Sequence, residues 1–143
     1  MRVYIPATTD ELALQTSGQW EPQRAYAVTD VLRDAMPELD EEELTEFAID
    51  AAGMASALEL GSRLRTVIAA DVSRADAVPD GATHPAAVRV AGRLDAASIA
   101  CVFVDEDEAA ADTRAALEGD DDAAERLADR YLLWYDLAEV LEG

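Results

Sequence analysis

The chain of 143 residues has no lysine, one cysteine (Cys101) and one histidine (His84). A single cysteine excludes a disulfide framework and a cysteine-based metal site within one chain. One histidine leaves little for imidazole chemistry. No apolar run approaches the roughly 18 residues of a membrane span. The opening M-R-V-Y-I-P-A-T has no signal-peptide h-region, so a cytoplasmic location with no membrane partner is expected. Also missing are G-x-G-x-x-G, G-x-x-x-x-G-K and G-x-S-x-G. Nucleotide binding through a glycine-rich loop and a serine nucleophile elbow are therefore unsupported.

Positive charge is scarce. All 11 bases are arginine against 31 acids, a net charge of −20. A sequence-independent nucleic-acid binder needs a positive surface to release counterions, so direct binding to DNA or RNA is not expected. The imbalance is uneven, with net charge −1 over residues 1–29, −9 over 30–60, +1 over 61–99 and −11 over 100–143. The two acidic stretches read as helical. Two readings stand for them: solvated helix faces, or a surface that meets a basic partner. Arg63, Arg65, Arg74, Arg89 and Arg93 form the one base-rich zone, which on a second copy would complement those helices in a homodimer.

What the chain has is apolar residues. They make up 50% of it, enough at this length to bury about 70% of the unfolded surface without staples. No linker or repeat divides it, so residues 1–143 read as one globular domain. Strands are expected at Arg2–Pro6, Ala25–Val28, Thr66–Val72, Ala87–Val90 and Ile99–Val104, each β-rich or apolar and bounded by turn residues. The nearly continuous apolar run at 66–72 predicts a central strand buried on both faces.

The strongest helix pattern runs from Asp40 to about Leu60. Leu44, Phe47, Ala48, Ala51, Ala55 and Leu58 form its stripe, and Asp40–Glu43 suit the positive end of its dipole. Gly53, Ala55, Ser56 and Ala57 make it slim enough to lie against a sheet. Shorter helices are expected after Thr9, at Val31–Met36, at Asp107–Leu117, from Ala123 to about Leu133 behind a new cap at Asp120–Asp122, and at the C-terminus. Residues 73–85 read as a loop. The fold class is α/β or α+β: a mixed sheet of about five strands covered by helices.

Taken in order, R-V-Y-I-P-A-T, A-Y-A-V-T-D-V-L-R (25–33), E-E-E-L (41–44), A-A-D-V (69–72), V-F-V-D-E (102–106) and L-L-W-Y (132–135) resemble a family of short acidic actinobacterial proteins known only as a domain of unknown function. The resemblance implies a cytoplasmic single-domain protein and carries over no catalytic residue, cofactor or partner. An acidic, histidine-containing lead into L-L-W-Y is replaced here by Asp129-Arg130-Tyr131.

The main chemical feature is that two apolar strands end in carboxylates, Asp71 and Asp105, the latter followed by Glu106, Asp107 and Glu108. If the strands were parallel neighbours, Asp71, Asp105 and Asp107 would converge beyond their carboxyl ends and suit Mg²⁺ or Mn²⁺. Metal-dependent hydrolysis or phosphoryl transfer would follow. Equally, Asp105 or Asp107 would cap the next helix. Asp120–Asp122 lacks EF-hand spacing and reads as a solvated turn, His84 as an exposed loop residue, and Cys101 as a core residue. Tyr131, Trp134 and Tyr135 gather near the C-terminus, either closing a core edge or anchoring another protein. The leading expectation is a non-enzymatic protein-binding module that uses the acidic helices and this aromatic patch, with the partner unidentified. The alternatives are the metal enzyme and a nucleic-acid mimic that occupies a basic groove.

Overall fold

The computed structural model describes residues 1–142. Seven strands, β1 (Arg2–Ala7), β2 (Arg24–Tyr26), β3 (Thr66–Asp71), β4 (Ala77–Pro79), β5 (Ala87–Val90), β6 (Ile99–Val104) and β7 (Leu133–Tyr135), form one sheet in the order β4-β5-β2-β1-β3-β6-β7. Every neighbouring pair is antiparallel. The architecture is α+β, with two more strands than the five expected and an antiparallel sheet where a mixed one was expected. Both additional strands are three residues long, too short for an alternation to stand out. β4 lies inside the segment that reads as a loop, and β7 begins where the helix from Ala123 was expected to end.

Alternation along the strands builds two cores. Val3, Ile5 and Ala7 of β1, Ile68 and Ala70 of β3, and Val102 and Val104 of β6 face one side. Tyr4, Val67, Ala69 and Cys101 face the other. β3 is therefore buried on both faces, as its apolar run predicts, and β1 sits at the sheet centre. Full burial of side chains such as Ile5, Val67, Ile68 and Val102 contributes roughly 1.5–3 kcal/mol each.

Helices α1 (Leu12–Gln15), α4 (Ala109–Leu117) and α5 (Asp121–Asp129) supply Leu12, Ala109 and Leu127 to the first core, and α6 (Leu137–Glu142) packs Leu137 and Val140 against it. Helices α2 (Asp30–Ala35) and α3 (Glu41–Leu58) cover the second with Leu32, Leu44, Ala48, Ala52 and Ala55. The acidic ends of α3 and α5 thus belong to elements that pack against different cores.

Caps set the helix starts. Asp40 accepts from the Glu43 N–H at 2.8 Å while Glu43 accepts from the Asp40 N–H at 3.2 Å, a reciprocal capping box. Asp120 accepts from the Asp122 and Ala123 N–H groups, and Thr29 from Leu32. Thr9 caps nothing; its N–H donates to Ser62 Oγ.

The buried stripe of α3 lies slightly around from the expected one, because Ala52, Gly53 and Ser56 are inside while Leu58 is exposed and Phe47 and Ala51 are half-buried. The smallest residues take the closest approach. Ser56 Oγ donates to the Ala7 carbonyl at 2.6 Å and accepts from the Thr66 N–H at 3.0 Å, tying the helix to the end of the β1–β3 ladder. An added Cβ on Gly53 would meet Leu132 Cδ1 at 3.3 Å and the Arg65 side chain at 3.6 Å.

Candidate functional site

β3 and β6 are neighbours but antiparallel, with Thr66 opposite Val104 and Ala70 opposite Ile99. Asp71 and Asp105 therefore stand at opposite ends of the ladder, roughly 20 Å apart at about 3.3 Å per residue. Asp71 is exposed and takes Arg2 Nε and Nη2 at 3.0 Å each; the guanidinium holds its carboxyl below the usual range. Asp105 is buried, and both its oxygens are bound by Arg65, with Nε and Nη2 at 2.8 Å and the Arg65 backbone N–H at 3.1 Å. Asp107 is exposed, 3.6 Å from Arg63.

Among the described residues no three His, Cys, Asp or Glu side chains are grouped to hold a metal ion. Neither role foreseen for Asp105 applies. α4 starts after Glu108 without a side-chain cap, and Asp105 is the counter-ion of a buried arginine. Arg65 is correspondingly withdrawn from the base-rich surface zone.

The aromatic cluster divides. Tyr131 is 85% and Trp134 56% exposed, while Tyr135 is half-buried against the first core. Trp134 lies opposite Phe103, and burial pushes the Cys101 thiol up. β7 is the last strand of the sheet. Beside it, Leu133 and Tyr135 line a groove of about 440 Å³ together with Glu106, Asp107, Glu108 and Glu139. Arg130 takes Glu106 at 2.7 Å. Glu108 and Glu139 have no ion-pair partner among the described residues.

Towards the other end of the sheet, by α3 and the β2–β5 pair, two pockets meet at Glu59, which lines both, and form the lobes of a second groove. One, about 470 Å³, is lined by Tyr26, Phe47, Met54, Leu58 and His84 with Asp50 on its rim. The other, about 360 Å³, is lined by Trp20, Gln23, Arg24 and Arg89 with Asp80 nearby. Arg24 Nη1 meets Glu59 at 3.0 Å between them.

His84 is not the exposed loop residue expected. Its ring centroid lies 5.4 Å from Tyr26, edge to face, and 5.6 Å from Phe47. The loop is pinned by Thr29 Oγ1, which donates to the Pro85 carbonyl at 3.0 Å, and by the Ala27 N–H, which donates to the Ala86 carbonyl at 2.8 Å. The Ala86 N–H donates to His84 Nδ1 at 3.0 Å, so the neutral ring carries its proton on Nε2. Burial lowers the His84 pKa and raises that of Tyr26. Desolvation likewise raises the Asp50 carboxyl, with Arg65 opposing.

Shifted titratable groups gathered in one groove mark a candidate ligand site. The expected α3 stripe contained Phe47 and Leu58, which form its wall, but nothing local connects them to His84, some 30 residues on. The signal that was available is the T-H-P-A-A turn before β5, which places a histidine beside a buried alanine pair.

No curated protein and no solved structure matches the chain. A sequence model of a family of unknown function (DUF6912) matches residues 1–142, nearly the whole length. The chain belongs to this family of unknown function.

Proposed function

We propose that this protein is a non-enzymatic binding module that receives an extended, basic segment of another protein along β7. The observation that carries the reading is Trp134, 56% exposed on a terminal strand whose opposite face opens onto Glu106, Asp107, Glu108 and Glu139. An edge strand offers unpaired backbone groups to an added strand. Exposed tryptophan and tyrosine are the residue types that anchor interfaces, and the acid-lined groove selects lysine or arginine on the incoming segment. The net charge of −20 favours fast, salt-sensitive encounter with a basic protein.

The test is capture from native lysate at low and high salt by the wild-type chain and by a Trp134→Ala/Tyr131→Ala variant, read by mass spectrometry. Both side chains are exposed, so equal thermal melting of the two proteins confirms that the variant is folded. A stoichiometric, lysine- or arginine-rich protein that leaves as salt rises and is lost from the variant supports the reading. Identical capture by both proteins, or none, overturns it.

A further inference from the structure

The groove at the other end of the sheet bears on a different kind of partner. Arg24 and Arg89 are directly opposed across β2 and β5, and like charges placed so repel. Seven of the 11 arginines form ion pairs, among them Arg24 with Glu59. Arg89 forms none among the described residues, although Asp80 lines the same lobe. A chain so rich in carboxylates has thus placed two arginines at opposed strand positions and paired one of them, Arg24, with Glu59.

Half-buried Trp20 stands beside this pair. Tyr26, two residues from Arg24 and on the same face of β2, begins the lobe of Phe47, Leu58 and His84. Two residues of strand span about 7 Å, the reach from phosphate to base in a mononucleotide or from carboxylate to ring in an arylalkanoate such as 4-phenylbutyrate. Guanidinium forks bind planar carboxylates and phosphates, and the second lobe presents ring faces and apolar walls, with Tyr26 and His84 as its aromatic residues that carry polar atoms.

We propose that this groove binds a small organic anion carrying a planar ring, its acidic group on Arg89 and Arg24 and its ring against His84, Phe47 and Leu58. The ligand takes over part of the role of Glu59, and the site is independent of β7, at the opposite end of the strand order.

The test uses the full chain carrying Trp134→Phe, which leaves Trp20 as the single tryptophan, titrated with the aromatic sulfonate 1-anilino-8-naphthalenesulfonate. The expected result is saturable one-to-one binding with quenching of Trp20. Arg89→Glu in the Arg lobe and Leu58→Glu in the ring lobe should each weaken it about tenfold or more. Arg114→Glu on α4, with the same charge change, should leave it within about twofold. Melting curves show which variants are folded. Absence of saturable binding overturns the proposal, as do equal losses from Arg89→Glu and Arg114→Glu. Displacement of the probe by 4-phenylbutyrate assigns a carboxylate head and by AMP a phosphate head, and either supports the site. Equal displacement by acetate or inorganic phosphate alone overturns the need for a ring.

Discussion

Arg65 and Asp105 meet through two parallel 2.8 Å hydrogen bonds in the interior, with side-chain exposures of 1% and 0%. The Arg65 N–H also donates to Asp105 and the Asp105 N–H to the Arg65 carbonyl, both at 3.1 Å, while Arg65 Nη2 reaches the Arg130 carbonyl at 3.0 Å. One pair thus binds the start of β3, the end of β6 and the end of α5. The favourable geometry offsets the desolvation of two charges only while both are present.

Asp105→Ala should therefore cost about 3–5 kcal/mol, because it leaves a guanidinium buried without a counter-ion. The double variant Arg65→Met/Asp105→Leu should cost less than that single change. Urea unfolding midpoints of the three proteins check the ordering.

Mg²⁺ or Mn²⁺ at millimolar concentration should leave the melting temperature unchanged, since Asp71, Asp105 and Asp107 engage three different arginines. A metal that bound only the folded state would raise it by mass action. Asp71→Ala removes an exposed pair and should cost no more than about 1 kcal/mol.

Ser56→Ala deletes the hydroxyl that serves both the Ala7 carbonyl and the Thr66 N–H. Leaving buried backbone groups without partners costs about 1–3 kcal/mol. Accelerated hydrogen exchange at the Thr66 amide should accompany the loss, separating this origin from a general loosening.

His84 has a folded-state pKa below its ordinary 6.5 because of burial. Its contribution to stability is then complete above pH 6.5 and is lost as pH falls through the lower folded value, where the unfolded chain holds the extra proton. The wild-type urea midpoint should fall between pH 7 and 5.5. His84→Asn, which keeps an acceptor near the Ala86 N–H, should flatten that slope.

Where a segment's environment repeats along it, the chain shows its structure. β5 and β6 match the apolar runs at Ala87–Val90 and Ile99–Val104 to the residue, and the acids around Asp40 and Asp120 mark real caps. The pairing of Arg65 with Asp105 is invisible locally, because it depends on an antiparallel neighbour 40 residues away. An acid after an apolar strand looks the same whether it faces a metal, a helix end or a guanidinium. Both grooves share this limit: Trp134 stood out as an aromatic residue, while His84 gains its meaning from Tyr26 and Phe47, brought to it by the sheet.

The strand at the sheet centre comes first in chain order among the strands described. β1 pairs along its whole length with β3, Arg2 opposite Asp71 through Ala7 opposite Thr66, and touches β2 at a single registered position, Tyr4 with Tyr26. Its full-length partner thus lies some 60 residues further along the chain, beyond α2 and α3. Such non-local pairing slows folding, and until it forms, the like charge of the acidic first turn of α3 opposes association between copies.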